Sequence, residues 1–242
     1  GNFYARQCVA NAVLTPCIFE YVYMARPDST IDGVTVYNVR MRMGDYLAEK
    51  IRKETNVDEI DVVMPIPDSS RPAAMQVAKN LGVDYREGFF KNRYIGRSFI
   101  MPGQAVRKKS VRQKLNAMSV EFKDKTILIV DDSIVRGTTM KSIVGVLKKT
   151  GASEIHVRIP SPPYVWPCFY GMDTRDTSML LAHDRSKQEM IEYLGVDSLE
   201  FLGVEDVLSV IDNKNGSNET ERKIGSFCMA CMTGEYPTQV PI

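Results

Sequence analysis

The stretch ILIVDDSIVRGTT, Ile127 to Thr139, decides how the chain is read. Ile127 to Val130 are four consecutive apolar residues, the pattern of a strand buried on both faces in a parallel sheet. Asp131 to Thr138 reads as a turn and Thr139 to Lys149 as a helix, with Met140, Ile143, Val144 and Leu147 at helical spacing on one face. Glu154 to Ile159 then returns as a second strand. In the turn, Gly137 lets the backbone approach a phosphate, Thr138 and Thr139 offer hydroxyls, and the helix start supplies unpaired N–H groups and the positive end of a dipole. Two carboxylates just upstream would repel that phosphate unless they faced sugar hydroxyls and a divalent cation. A tight turn with an aspartate cap would account for Asp132, Ser133 and Gly137 alone. An acidic pair followed by Arg136, Gly137 and two threonines is harder to explain that way, and it asks for a phosphorylated sugar accompanied by a metal ion.

Working outward, Val62 to Ile66 reads as a strand running into the loop Pro67 to Ser70. Ala73 to Leu81 reads as a helix that Gly82 ends in a left-handed conformation, before a short strand near Val83 to Tyr85. Two such units predict an α/β fold, a parallel twisted sheet flanked by helices. Both loops leave the carboxyl ends of strands, where open sheets hold ligands. A further helix is expected from Gly44 to Glu54. Lys91 to Lys114 is dense in Lys, Arg, Gly and Gln and lacks apolar periodicity. A loop of that length in a compact domain implies function or disorder, although a solvated basic loop reads the same way. Beyond Ile211 the chain is polar until Phe227, with Asn213 to Asn218 as a surface turn or linker.

The 242 residues, 44% hydrophobic and 25% charged, are ample for a full core. Thirty-one Lys and Arg against 30 Asp and Glu leave a net charge of +1, so electrostatics give no reason to propose nucleic acid or a membrane as partner. No apolar run approaches the roughly 18 to 20 residues that span a bilayer, and the start lacks a secretory pattern, so the cytoplasm is expected. Cys8, Cys17, Cys168, Cys228 and Cys231 are an odd count, which disfavours a disulfide framework. Cys228 and Cys231 read as chance, a redox pair, or half of a thiolate metal site. A metal site needs two more thiolates, and four suit zinc or iron–sulfur equally. His156 and His183 read as ordinary strand or surface residues.

Together with KNRYIGRSFIMPGQ (Lys91 to Gln104) and FEYVYMARPDS (Phe19 to Ser29), the opening stretch resembles the amidophosphoribosyltransferase family, from about Cys17 to the C-terminus. The resemblance implies a type I phosphoribosyltransferase fold and replacement of the pyrophosphate of phosphoribosyl pyrophosphate by ammonia, giving 5-phosphoribosylamine for purine synthesis. It implies that Ser133, Arg136, Gly137, Thr138 and Thr139 hold the 5-phosphate. Asp131 and Asp132 would face the ribose hydroxyls and Mg2+, with Ser69 helping to hold the metal, and pyrophosphate would lie by Asp68, Ser69 and Ser70. Lys91, Arg93, Tyr94 and Arg97 are expected in a loop, residues 91–114, that closes over substrate, keeps water out and completes an ammonia passage. Cys17, Cys168, Cys228 and Cys231 are implied as ligands of a [4Fe-4S] cluster tying a tail, residues 213–242, to the domain of residues 17–212. Ser70 and Arg71 depart from the Gly-Thr often found in the family's pyrophosphate loop.

In the family a glutaminase domain with an N-terminal cysteine supplies the ammonia. Residues 1–16 fall outside the resemblance and Gly1 is no such nucleophile, so ammonia is the expected nitrogen source for this chain alone. Dimers or tetramers inhibited by purine nucleotides are implied as well. Two rivals are weighed beside this reading. A non-catalytic regulator sensing phosphoribosyl pyrophosphate should carry a basic winged-helix extension, and a nucleobase phosphoribosyltransferase should carry a base-binding hood and no cysteine set.

Overall fold

A computed structural model of the chain describes residues 1–8, 10–91, 115–212 and 227–240. A short antiparallel pair, β1 (Thr30–Ile31) and β2 (Val34–Thr35), leads into α1 (Val36–Glu54). The first strand-helix-strand unit is β3 (Val62–Pro65), α2 (Arg71–Leu81) and β4 (Asp84–Tyr85). An antiparallel pair follows, β5 (Phe89–Lys91) with β6 (Leu115–Ala117). The chain continues through β7 (Thr126–Val130), α3 (Thr138–Lys149), β8 (Glu154–Ile159), α4 (Lys187–Leu194), β9 (Ser198–Phe201), α5 (Val204–Asp212) and α6 (Ala230–Thr233).

The main sheet has the order β4-β3-β7-β8-β9, with every neighbouring pair parallel. After β3 the chain steps outward to β4, and after β7 it steps the other way, to β8 and β9. α2 packs on one face and α3 on the other, so the two connections part between β3 and β7 and leave a crevice at the strands' carboxyl ends. Register brings Pro65 beside Val130, so the loops that start at Ile66 and Asp131 leave the sheet side by side.

The strand sequences follow from what covers them. β3 and β7 are buried on both faces: Val63, Leu128 and Val130 pack toward α1, α2 and α5, while Val62, Met64, Ile127 and Ile129 pack toward α3 and α4. Hence their continuous apolar runs. In β8 and β9 only Ile155, Val157, Ile159, Leu199 and Phe201 reach an apolar core, and the alternate positions, His156, Arg158, Ser198 and Glu200, form a polar layer. Arg158 is 2% exposed and bonds Ser198 Oγ, Thr55 Oγ1 and its neighbour's carbonyl, each at 2.8 or 2.9 Å.

The structure agrees with the expected strands and with the turn at Gly82, whose φ of 72° is left-handed. Met140, Ile143, Val144 and Leu147 are all buried in α3. The first helix corrects the expectation: it begins at Val36 rather than Gly44. Arg40, in the middle of its buried stripe with Val36, Val39 and Met43, breaks the apolar period that sequence reading relies on. The linker expected at Asn213 to Asn218 lies outside the described residues. No helix among the described residues is long and apolar enough to cross a membrane.

Candidate active site

Of the residues that the sequence singled out, the loops leaving β3 and β7 bring Ser69, Asp132 and Ser133 into contact. Asp132, 7% exposed, accepts from Ser69 Oγ on the neighbouring loop at 2.5 Å and from Ser133 Oγ at 2.6 Å, one bond to each carboxylate oxygen. Asp131 Oδ1 accepts from the Asp132 N–H at 2.9 Å, and the Asp131 N–H reaches Arg158 O on β8 at 3.3 Å. Burial first, and then the neighbouring Asp132, push the Asp131 carboxyl well above the usual range. Burial also raises Asp132, opposed by the two serine hydroxyls and by the charge of Arg40. Arg40 offsets only part of the charge of two carboxylates crowded in this way, a condition that a divalent cation relieves.

Arg40 was not foreseen as part of the site. It is 3% exposed, and its guanidinium donates to Tyr21 O at 3.0 Å and Ala25 O at 2.9 Å. Bonds to neutral carbonyls leave the charge of a buried cation available to a nearby anion. The segment Glu20–Met24, one π-helical turn within the FEYVYMARPDS motif, therefore wraps the residue whose field reaches Asp132.

The turn between β7 and α3 has the left-handed glycine expected of it. Gly137 caps α3 at a φ of 71°, contributes no side chain to the cap, and leaves the first N–H groups of the helix without a capping oxygen. A Cβ at Gly137 would lie 2.9 Å from Leu181 Cδ2 and 3.3 Å from Tyr193 Cε1, so the loop is closed from behind as well as left-handed. Thr139 is part-exposed and Thr138 exposed, while Arg136 donates to Asp173 O at 3.2 Å.

The second loop is arranged differently from the expectation. Ser70 is 1% exposed and its hydroxyl donates to Ile66 O, so that proton is committed to the backbone, and α2, like α3, starts without a side-chain cap. Asp68 instead pairs with Arg71, Nη1 to Oδ1 at 2.7 Å, and the Pro67–Asp68 peptide bond is cis. Arg71 also forks onto Glu87, which accepts from Tyr85 Oη. Lys91 ends β5, with its side chain outside the described set; Arg93, Tyr94 and Arg97 lie outside the described residues altogether.

Four cysteines from three parts of the chain come together. Cys17 and Cys228 form a parallel bridge, with Cys228 N on Pro16 O at 2.8 Å and Ile18 N on Cys228 O at 3.2 Å. Cys231 O accepts from Val165 N and Trp166 N, next to the loop that carries Cys168. Burial, then the charges of Cys17, Cys168 and Cys228, push the Cys231 thiol up to about 12. All five cysteines are free thiols and Cys8 is exposed, apart from this group. Among the described residues, no group of three or more His, Cys, Asp or Glu side chains is arranged to hold a metal ion as it stands.

The parallel sheet divides between β3 and β7, with a helix start that lacks a side-chain cap on each side and an acidic pair after β7, which is the architecture of a doubly wound α/β protein. Residues 38–159 match the phosphoribosyl transferase domain family, and the chain belongs to that family. Within it, the chain is 49% identical over 238 residues to an amidophosphoribosyltransferase of Pseudomonas aeruginosa, covering 98% of this chain and 46% of that protein. It is 47% identical over 239 residues to the Escherichia coli amidophosphoribosyltransferase, again covering 46% of that protein. A solved glutamine phosphoribosylpyrophosphate amidotransferase from B. subtilis, complexed with ADP and GMP, superposes with a TM-score of 0.79 at 43% identity, over 96% of this chain and 49% of that one. The chain thus spans about half the length of the curated relatives it matches. The alignment to the P. aeruginosa protein takes in most of residues 1–16, which the sequence motifs did not reach.

Proposed function

We propose that this chain carries the phosphoribosyl-transfer half of an amidophosphoribosyltransferase. It replaces the pyrophosphate of phosphoribosyl pyrophosphate with ammonia, giving 5-phosphoribosylamine at the entry to purine synthesis. The observation that carries this reading is the Ser69–Asp132–Ser133 junction, which ties the two ligand loops together between two uncapped helix starts.

In this reading the start of α3 takes the 5-phosphate and the loop from Asp68 to Ser70 faces the pyrophosphate. The nitrogen lone pair forms the new bond to the ribose anomeric carbon as the bond to the pyrophosphate oxygen breaks, and the ammonium proton passes to solvent. Positive charge builds on the ribose between these events, and Asp131 and Asp132 stabilise it from beside the ring. Asp131, Asp132 and Ser69 are the residues that would hold Mg2+, which supplies charge neutralisation to the departing pyrophosphate. Cys17, Cys168, Cys228 and Cys231 lie close enough for their charges to act on one another, and four thiolates are a donor set that would suit a [4Fe-4S] cluster with a structural role. The similarity to the B. subtilis structure with ADP and GMP supports purine nucleotides as regulators. In this reading the chain belongs to a cytoplasmic homo-oligomer fed with ammonia by a glutaminase.

The test is pyrophosphate release by the 242-residue chain given Mg2+, phosphoribosyl pyrophosphate and ammonium salt at alkaline pH. Release should rise with ammonium and yield phosphoribosylamine. Release that ignores ammonium would refute the reaction; tight substrate binding with no release would favour the sensing alternative.

A further inference from the structure

The turn between β7 and α3 is held by a later segment of the chain that the reaction described above does not use. Arg136 Nη2 donates to Asp173 O at 3.2 Å, and Leu181 N donates to Val135 O at 2.8 Å. Gly137 lies so close to Leu181 that an added Cβ would come within 2.9 Å of its Cδ2. Both ends of the segment 173–181 therefore bear on the turn that starts α3.

Thr174 in turn fixes this segment. It is 7% exposed, its Oγ1 accepts from the Cys168 N–H at 3.3 Å, and the same oxygen is hydrogen-bonded to Tyr164 Oη at 2.6 Å. Its own N–H donates to Met172 O at 2.9 Å, which closes a tight turn beside Asp173. Tyr164 is a firm anchor: it is 1% exposed, with its ring edge-on to the buried Phe19 at 5.6 Å between centroids. One hydroxyl thus ties the carbonyl that holds Arg136 to a buried phenol and to the backbone at Cys168.

A helix start takes a phosphate best when its N–H groups are already aimed, because a loop that must order itself on binding spends part of the affinity doing so. Gly137, left-handed at a φ of 71°, leaves the turn compliant, so its aim depends on what packs against it. We propose that Thr174 is a positioning residue for the sugar 5-phosphate, holding the turn from Val135 to Gly137, through the segment 173–181, in the shape that receives the phosphate. This inference rests on the substrate reading above. It leaves pyrophosphate binding untouched, since the loop from Asp68 to Ser70 is carried by β3 and α2.

The experiment titrates the full 242-residue chain, by calorimetry, with ribose 5-phosphate and separately with magnesium pyrophosphate. T174V, which keeps the side-chain shape and removes the hydroxyl, should weaken ribose 5-phosphate by about fivefold or more, the loss expected for one hydrogen bond, and leave pyrophosphate within about twofold. T174S should restore most of the ribose 5-phosphate affinity. Y164F, which withdraws the phenol and leaves Thr174 its bond to the Cys168 N–H, should give a smaller loss confined to ribose 5-phosphate, and it supplies the measurement should T174V fail to fold. Equal weakening of both ligands in the folded variants, or unchanged ribose 5-phosphate affinity, overturns the role of Thr174. Wild-type protein that does not bind ribose 5-phosphate overturns the substrate reading itself, and the inference with it.

Discussion

Asp131 shows what a binding site costs a fold. Its carboxylate is crowded by burial and by Asp132, and the bond it accepts among the described residues, from the Asp132 N–H, is equally available to an amide oxygen. Asp131→Asn should therefore stabilise the magnesium-free protein, by about 1 kcal/mol, while lowering pyrophosphate release by about a hundredfold or more. Thermal melts and the release assay check both halves, and a fall in melting temperature would count against the account. The acidic pair, Gly137 and the threonines were legible in the sequence because each residue type is tied to one local task. Arg40 and Arg71 were not. Tyr21, Ala25 and Glu87 lie 15 to 19 residues from the arginines they hold, and no local pattern announces such pairings, although the Arg71–Asp68 pair is three residues apart.

Among the elements, the α1–α2 crossing places the N-terminus of α2, and with it the loop from Ile66 to Ser70. Gly44 permits that crossing: a Cβ there would lie 2.5 Å from Ala73 O, a backbone atom that cannot step aside. Gly44→Ala should cost about 1–3 kcal/mol in urea unfolding, and an unchanged midpoint would show that the helices separate freely. Asp45, accepting from Gln76 and Asn80 at 2.7 Å each, ties the same pair of helices. The β8–β9 pair carries a pH dependence. Burial, then the charge of Arg158, depresses His156, against the opposing charges of Glu154 and Asp197. The folded state thus binds the proton less readily than the unfolded chain, and stability falls as pH drops below about 6.5, the ordinary histidine value, by no more than about 1.4 kcal/mol per pH unit. His156→Asn should flatten that slope between pH 7 and 5 in denaturation experiments.

For the whole molecule, the proposed cluster closes a long loop. Cys17 lies before α1, Cys168 after β8, and Cys228 and Cys231 near the C-terminal end, so one inorganic centre would staple three distant segments. A brown protein that bleaches on oxidation is expected, with bleaching accompanied by a lower melting temperature. Absorbance near the thiolate-to-iron region, with iron and zinc analysis, checks it; a colourless protein with stoichiometric zinc would refute the iron–sulfur assignment. Cys231→Ser should lose both colour and stability together.

Local order was already written in the chain. Continuous apolar runs mark β3 and β7 because both of their faces are covered, Gly82 and Gly137 mark left-handed turns, and the acidic pair marks a strand end beside a phosphate-ready helix start. These are short-range consequences of residue type, so they can be read without the fold. It took the assembled sheet to bring Ser69 and Ser133 onto Asp132, to lend the field of Arg40 to Asp132, and to turn Arg71 toward Glu87 and Asp68. Those pairings depend on which strands lie side by side and which helix covers which face, and packing of the whole sheet settles both.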